Sequence, residues 1–366
     1  MNVPKIRFKN YEKEWKKTTL KNVAIINPKN EQIPNEFIYI DLESVNKGIL
    51  SQEKIISKSS APSRAQRTIK KNDILFQTVR PYQQNNYFVK ETKELPYIAS
   101  TGYALIRTSE DPYFIYSILH KKDFLDKVID RCTGTSFPAI SANDLGDINI
   151  NIPDIKEQMK VSNFLSLLDK KIELQTKKIE DLKLFKKGLL KKNYYKIANN
   201  NLTELSCIAN IYQPQTISQS ELDNGKYYVF GANGIIGKYS KFNHKFMQVT
   251  ISCRGENSGT INLTPDECWI TGNSMVLNVD ENKNVDKLYL KNILEAQNLK
   301  YLISGSGQPQ IVRSSVLKHK IPYISIEQQK KFTIPFIKLD SKIKLEQNKL
   351  DKLQELKKGL MQSMFV

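Results

Sequence analysis

Apolar residues recur at alternating steps of three and four along two long stretches of the chain, one near the middle and one at the end. Such a heptad pattern is typical of helices that pack along one seam. Either stretch alone fits an ordinary amphipathic core helix, but two matching seams in one chain favour pairing with each other. The predicted seam contains Leu168, Ile172, Ile179, Leu182, Ile343, Leu350 and Leu353. We therefore predict long helices over residues 154–195 and 326–366.

The two halves of the chain repeat each other. The segment Lys-Lys-Gly-Leu-Leu at 186–190 returns as Lys-Lys-Gly-Leu-Met at 357–361, which is 171 residues later. A Gly-x-x-x-Pro-x-Ile segment occurs at 134–140 and again at 305–311, at the same offset. One module used twice explains this pattern. A pseudo-two-fold relation between the copies would make the two paired helices antiparallel.

Both helical stretches also open with a Glu-Gln pair, at 157–158 and at 327–328, so the offset slips there by one residue. Before each stretch, short apolar runs separated by turn residues predict strands joined by loops. Helical spacing predicts one further helix in each half, over 112–128 and over 287–303.

These patterns predict an α+β fold with a pseudo-two-fold internal repeat. Two globular domains of mixed and antiparallel strands plus helices are expected over 1–153 and 196–325, each followed by one of the long antiparallel helices of the coiled coil. Each half contains enough apolar residues to bury a core, since 40% of the chain is hydrophobic.

Charge indicates the class of partner. The chain has 56 basic and 38 acidic residues and a net charge of +18. A basic surface of this size favours a polyanion, with nucleic acid first. The alternative is a lysine-rich solvated surface without a specific partner.

Motifs for catalysis fail on spacing. Residues 230–238 resemble a phosphate loop, but Ala232 stands where the first glycine is needed and Tyr239 follows the lysine, so a glycine-rich turn is the better interpretation. No Asn-Pro-Pro-Tyr or Asp-Pro-Pro-Tyr methyltransferase motif occurs. The three histidines and four cysteines have no zinc-site spacing. We expect no catalytic residue, metal or cofactor in this chain.

The cysteines also indicate a compartment. They show no disulfide framework and fit a reducing cytoplasm. The first 17 residues are polar and basic, unlike a signal peptide, and no apolar run approaches the roughly 18–20 residues of a membrane span. We therefore expect a cytoplasmic protein with no membrane partner.

Each half carries a strand that ends in arginine and continues as a polar loop, at Arg80 and at Arg254. Arginine fits guanine bidentately, and asparagine and glutamine fit adenine. The alternative for one copy is a solvated loop, but its repetition favours DNA reading. Lys238 and Lys241 are expected mainly to hold phosphates. The predicted DNA contacts are Gln77, Arg80, Tyr82, Gln83, Asn85, Thr135, Ser136, Lys238, Tyr239, Arg254, Asn257, Ser258, Gln308 and Gln310.

Over essentially its whole length the chain resembles the specificity subunits of type I restriction–modification systems. The resemblance rests on the two-fold repeat, on the arms Glu157–Leu190 and Glu327–Met361, and on the segments Tyr228–Gly237 and Gly305–Ile311. The first half is a looser match, because its Gly-x-x-x-Pro-x-Ile segment has a phenylalanine where the second has Gln308.

The resemblance implies two target-recognition domains, each reading one half of a split duplex DNA sequence. It implies that the paired helices form a spacer and bind two methyltransferase subunits, on which S-adenosylmethionine is expected, and it allows a nuclease/translocase subunit to join. The specificity chain of this family is not catalytic. Two alternatives remain open: a divergent DNA methyltransferase, and a coiled-coil adaptor with general nucleic-acid binding.

Overall fold

The computed structural model describes residues 2–199, 201–223, 225–232, 234–305 and 309–366. The chain divides into two compact units. The first unit comprises Met1–Gln175 and Lys349–Val366, and the second comprises Thr176–Asn348. Each unit therefore includes one part of each long helix, whereas the sequence placed its domain borders at the ends of the helices.

The first unit begins with strands and ends in helix. Its strands are β1 (Lys16–Thr19), β2 (Ala24–Ile26), β3 (Glu36–Ile40), β4 (Val45–Asn46), β5 (Ile49–Leu50), β6 (Lys54–Ser57), β7 (Ala65–Thr68), β8 (Ile74–Gln77), β9 (Tyr87–Phe88), β10 (Tyr97–Ser100), β11 (Tyr103–Thr108) and β12 (Asn149–Ile152). Its helices are α1 (Leu20–Val23), α2 (Pro112–Ile118), α3 (Lys122–Ile129), α4 (Ala142–Gly146) and the first part of α5 (Ile155–Ile197).

One sheet of this unit is buried on both faces. Its strand order is β2-β11-β8-β9, and its strands are antiparallel. On β8, Ile74 and Phe76 belong to the core that contains Phe114 of α2, whereas Leu75 belongs to a second core shared with the sheet β6-β3-β10-β7. Burial on both faces explains why the sequence of β8 is a continuous apolar run rather than an alternating one.

The second unit repeats this arrangement. Its strands are β13 (Leu202–Glu204), β14 (Asn210–Tyr212), β15 (Tyr227–Gly231), β16 (Gly234–Tyr239), β17 (Val249–Ser252), β18 (Ile261–Leu263), β19 (Trp269–Ile270), β20 (Ser274–Asn278) and β21 (Lys320–Pro322). Its helices are α6 (Leu205–Ile208), α7 (Lys287–Gln297), α8 (Arg313–Leu317) and part of α9 (Ile326–Ser363). The order β14-β20-β17-β18 corresponds strand by strand to β2-β11-β8-β9.

The smaller pairings also repeat. β1 pairs antiparallel with β12 in the first unit, as β13 does with β21 in the second. The second sheet of each unit contains a parallel pair, β3 with β10 and β15 with β19. The predicted α+β fold with an internal two-fold repeat is confirmed.

Ion pairs at repeated positions join the two long helices. In the first unit Lys357 of α9 lies 2.5 Å from Asp169 of α5, and in the second unit Lys186 of α5 lies 2.5 Å from Asp340 of α9. Lys357 follows Lys186 by 171 residues, and Asp340 follows Asp169 by the same number. The sequence repeat is therefore also a repeat of contacts.

The direction of the helices follows from a second ion pair in the second unit. Lys178 contacts Glu346 at 3.1 Å, so the number of the partner falls from 346 to 340 as the number on α5 rises from 178 to 186. The helices are antiparallel, as predicted. Of the predicted seam, Leu168, Ile179 and Leu350 are buried, and Ile172, Leu182, Ile343 and Leu353 are half-buried. Their individual pairings stay a prediction.

A buried glutamine anchors the start of each long helix to its unit. The Oε1 atom of Gln158 accepts the N–H of Asp111 at 3.1 Å, and Oε1 of Gln329 accepts the N–H of Asp286 at 2.8 Å. Each aspartate caps a helix, α2 or α7, with its own carboxylate. Since 329 exceeds 158 by 171, the one-residue slip assigned to the Glu-Gln pairs is absent at this contact.

Replacing either glutamine by leucine is expected to lower the free energy of unfolding by about 1–3 kcal/mol, because a buried N–H loses its acceptor. Urea unfolding of Gln158→Leu and Gln329→Leu measures this loss. Gln52→Leu, at an exposed position of the first unit, serves as the control. Equal unfolding midpoints for the three variants would contradict the anchoring role.

The structure corrects three predicted helix boundaries. The helix expected over 112–128 is two helices, because α2 ends at Ile118 and α3 begins at Lys122. The helix expected over 287–303 ends at Gln297, where Asn298 adopts a left-handed conformation with φ of 55°. The long helix predicted over 154–195 extends slightly further, since α5 ends at Ile197.

Candidate nucleic-acid interface

In the first unit, the loop after β8 meets the Gly-x-x-x-Pro-x-Ile segment. Val79 forms a β-bridge with Ala139, and the N–H of Arg80 donates to the carbonyl of Pro138 at 2.7 Å. These residues are about 60 positions apart in sequence, so their meeting was not evident from either motif alone. The two candidate segments of this half form one surface.

The second unit builds the same junction. Arg254, after β17, forms a β-bridge with Gln310, and the N–H of Gly255 donates to the carbonyl of Pro309 at 3.0 Å. Ser258 is 4% exposed, and its hydroxyl donates to the carbonyls of Gly255 and Pro309. This serine therefore stabilises the conformation of the loop.

These bridges show that the two arginines are not equivalent. The partners Ala139 and Gln310 are 171 residues apart, so Val79 corresponds to Arg254 and Arg80 corresponds to Gly255. The backbone agrees, because Arg80 has φ of 54° and Gly255 has φ of 79°. The matched placement expected for Arg80 and Arg254 is wrong by one residue.

Arg80 is held by an aromatic ring in a conformation that glycine adopts more easily. Its guanidinium carbon lies 4.4 Å from the ring centroid of Phe137, which is 61% exposed. Stacking fixes the plane of the guanidinium and leaves the N–H groups at its edge available to a ligand. The sequence offered Phe137 only as a departure from the second repeat, although an exposed aromatic residue beside an arginine was the available signal.

Gln77 organises the loop that carries Arg80. It is 1% exposed, and its amide nitrogen donates to the Val79 carbonyl and to Gln83, both at 2.8 Å. Its amide oxygen accepts the N–H of Asn85 at 3.1 Å. The side chain of Asn85 in turn accepts the N–H of Lys47 at 3.0 Å. An effect of Gln77 on binding would therefore be indirect, through the loop.

The other predicted contacts are mostly accessible. In the first unit Tyr82, Gln83, Thr135 and Ser136 are exposed. In the second unit Lys238, Lys241, Arg254, Asn257 and Gln310 are exposed. Tyr239 is half-buried and packs edge-on against Trp269, with ring centroids 5.3 Å apart. Gln308 lies outside the described residues.

The segment that resembled a phosphate loop is a β-hairpin. β15 and β16 pair antiparallel, and the Lys238 ammonium lies 5.6 Å from the ring centroid of Tyr228. This places a cation and an aromatic face together on one strand pair, a combination found in surfaces that bind nucleic acid.

Burial leaves two histidines and one cysteine uncharged at neutral pH. Burial lowers the pKa of His120 and that of His319 to about 4, and it raises the pKa of the Cys253 thiol to about 11. In the described part of the chain, no cluster of three or more His, Cys, Asp or Glu residues is arranged to hold a metal ion. Nor does any helix in that part combine the length and apolar character needed to cross a membrane.

Known proteins match this chain in both halves. A family model described as the type I restriction modification DNA specificity domain matches residues 12–184 and 198–355. The type I restriction enzyme HindI specificity subunit of Haemophilus influenzae is 27% identical over 175 residues, which cover 46% of this chain and 35% of that protein. The MjaVIII specificity subunit of Methanocaldococcus jannaschii is 25% identical over 296 residues, 69% of this chain and 68% of that one.

Solved structures share the fold. The type I restriction–modification S subunit from M. genitalium has a TM-score of 0.63 at 18% identity, covering 100% of this chain and 99% of that one. A chain from a study of complex assembly and conformational transition of the type I R-M system has a TM-score of 0.59 at 19% identity, covering 95% and 96%. Because the family model matches most of both halves, this chain belongs to the DNA specificity family of type I restriction–modification systems.

Proposed function

We propose that this chain is the non-catalytic DNA-recognition subunit of a type I restriction–modification complex. Each unit reads one half of a bipartite duplex target. The observation that carries this proposal is the repeated junction, in which a strand-end loop bearing an exposed polar surface lies beside a Pro-containing segment in both units. The net charge of +18 supports duplex DNA as the ligand.

The two half-sites differ in sequence. Arg80 and Gly255 occupy equivalent backbone positions, so the first unit presents a side chain where the second presents none. Arg254 projects instead from the preceding position, which is Val79 in the first unit. Two loops with different donors at matched places read different bases, and the target is therefore asymmetric.

Methylation mapping tests this function. Methylated bases are mapped genome-wide in a host that has the partner subunits, with and without this chain. We expect one asymmetric two-part motif that appears only when the chain is present. Identical maps in the two strains would reject the proposal, and a motif with a single uninterrupted part would reject the two-headed scheme.

We also propose two methyltransferase subunits as partners, bound at equivalent sites. Exposed apolar residues recur at the repeat offset on the long helices: Leu174 with Leu345, and Phe185 with Leu356, each more than half exposed. Each unit thus presents one such residue on α5 and one on α9. Exposed apolar positions that recur at the repeat offset support two copies of one partner.

The double substitution Leu174→Lys and Leu356→Lys is expected to remove one of the two partner subunits. It places charge in the apolar contact of the first unit and leaves the equivalent contact of the second unit unchanged. Native mass spectrometry of the purified complex measures the stoichiometry. Leu167→Lys is the matched control, since Leu167 is exposed and its repeat position, 338, is already lysine. Retention of two subunits by the double variant would contradict this docking surface.

The cofactor and compartment proposals follow from the same role. S-adenosylmethionine is held by the partner methyltransferases, and a nuclease/translocase subunit joins the assembly for cleavage. The complex works in the cytoplasm, which the free thiols of Cys132, Cys207, Cys253 and Cys268 support.

A further inference from the structure

A cavity of about 570 Å³ lies in the first unit, behind the loop that carries Arg80. Its walls come from the turn between β4 and β5, the loop after β8, helices α2 and α3 with the turn between them, one turn of α5, and the last turns of α9. It is lined by Lys47, Gln83, Gln84, Tyr113, Tyr116, Ser117, His120, Lys121, Lys122, Leu125, Leu165, Gln354, Lys357, Lys358, Met361 and Gln362.

The lining is strongly cationic. It contains five lysines and no carboxylate. Two of the lysines have acidic partners, since Lys121 lies 2.9 Å from Asp123 and Lys357 lies 2.5 Å from Asp169. The remaining three, Lys47, Lys122 and Lys358, make no ion pair with any described residue. They come from three separate segments of the chain, and folding brings them together around one cavity.

The histidine in the wall adds no charge at neutral pH. Burial lowers the pKa of His120 to about 4, and its Nδ1 atom lies 2.8 Å from the Tyr116 carbonyl. The attraction of the cavity for an anion therefore comes from its lysines. Amide groups of Gln83 and Gln84 add hydrogen-bonding groups to the same wall.

The cavity is connected to the candidate reading loop. Gln83 lines the cavity and also accepts a hydrogen bond from Gln77, the buried organiser of that loop. The N–H of Lys47 donates to the side chain of Asn85 in the same loop. The cavity therefore shares part of its wall with the loop that carries Arg80.

The shared fold does not require this cluster. Asp286 corresponds to Asp111 with an offset of 175, which places Lys291 and Glu295 at the positions of Tyr116 and His120. Lys291 and Glu295 form an ion pair at 2.7 Å. The second unit therefore has an ion pair in this wall where the first unit has Tyr116 and His120, although it repeats Lys358 as Lys187.

We propose that this cavity binds phosphate groups, and that those groups belong to the DNA backbone beside the half-site read by the first unit. Lysine ammonium groups bind phosphate as point charges without regard to base sequence, so the cavity contributes affinity and not specificity. The inference rests on the proposed function for its source of phosphate. A free phosphate or pyrophosphate ion offers the same chemistry from a second source.

The test removes the three uncompensated lysines in the full chain. Lys47→Ala, Lys122→Ala and Lys358→Ala are combined, and binding to a 30-base-pair cognate duplex is measured by fluorescence anisotropy across a KCl series. Loss of three phosphate contacts is expected to reduce the slope of log affinity against log salt by about 2.7. Between 50 and 200 mM salt, the wild type should then lose about 40-fold more affinity than the variant.

The matched control combines Lys29→Ala, Lys71→Ala and Lys90→Ala, which removes the same charge from exposed positions of the first unit that do not line this cavity. Its slope should change by less than one unit. Calorimetry with pyrophosphate tests the second source. If pyrophosphate binds the wild type but not the cavity variant, and the salt dependence of DNA binding is the same for both, the site belongs to a free phosphate.

An unchanged DNA slope together with no pyrophosphate binding overturns the proposal. So does an equal change of slope in the control variant, because general charge would then explain the effect. Failure of the proposed function is distinguishable, since the wild type itself would not discriminate cognate from scrambled duplexes. The ratio of cognate to scrambled affinity should stay unchanged in the cavity variant.

Discussion

Seven residues inserted into both long helices are expected to lengthen the unread spacer of the methylated target by about three base pairs. The insertions follow Gln175 in α5 and Asn348 in α9, where the chain passes from one compact unit to the other. Seven helical residues add about 10 Å, which is about three steps of 3.4 Å along DNA. Seven residues also preserve the heptad phase of the seam.

Methylation maps of the insertion variant measure the spacer and the bases on either side of it. The bases read should not change, because the loops at Arg80 and Arg254 are untouched. Insertion into α5 alone is the control, and it should reduce stability because the ion pairs Lys357–Asp169 and Lys186–Asp340 cannot both form. An unchanged spacer in the double-insertion variant rejects the role of the helices as a ruler.

The parts of the fold that sequence predicted well are those with a long apolar period. The heptad stretches gave the two helices and their pairing, because each long seam must be covered by another helix, and the internal repeat gave the antiparallel direction. The strand around Leu75 was found for the same reason, since Ile74, Leu75 and Phe76 form a run buried on both faces without a polar interruption. In these elements, burial requires apolar residues at many positions, and this leaves a pattern that the sequence shows.

The contacts that the sequence concealed are single polar side chains. Gln158 and Gln329 looked like ordinary residues of a first helical turn, yet both are fully buried and hold a helix cap. Nothing in their spacing reports burial, because a hydrogen bond to a backbone N–H imposes no periodic pattern. Asn298, which ends α7, was also missed, because a left-handed backbone conformation at one residue does not change the spacing of the apolar residues around it.

The mismatch of the two arginines has a geometric cause. The repeat offset is 171 for the Pro-containing segments and the long helices, but 175 between Asp111 and Asp286 and between Arg80 and Gly255. Alignment by residue type placed Arg80 on Arg254 at an offset of 174. Only the β-bridges, which join the two parts of each unit, show which backbone positions correspond.

Replacing Arg80 by glycine is expected to abolish reading in one half-site while preserving or raising stability. A left-handed conformation costs a residue other than glycine about 1–2 kcal/mol, and the equivalent residue of the second unit is already Gly255. Glycine loses more backbone entropy on folding, so the net gain in the free energy of unfolding should be at most about 1 kcal/mol. If Arg80 were kept for stability, its replacement by glycine would instead lower the free energy of unfolding.

The loss of reading is expected to be large. A bidentate arginine contributes about 1–3 kcal/mol of discrimination against the wrong base, so the affinity ratio between cognate and scrambled first half-sites should fall by about 5- to 150-fold. Arg80→Ala should give the same loss without the gain in stability, and Phe137→Leu should give part of it, because the guanidinium loses the ring 4.4 Å away. Arg64→Ala, at an exposed position of the same unit, controls for the lost charge.

Anisotropy measurements with duplexes scrambled in the first, the second or both half-sites separate the possible roles of Arg80. If Arg80→Gly weakens cognate and scrambled duplexes alike, the side chain contacts phosphate rather than bases. If Arg80→Gly changes discrimination at both half-sites, the substitution affects binding by both units and not only the contacts of its own loop. Reading by Arg80 requires a loss confined to one half-site, with an unfolding midpoint that does not fall. The strained left-handed backbone at Arg80 is then retained because its side chain is needed for recognition. The second unit has glycine at the equivalent position.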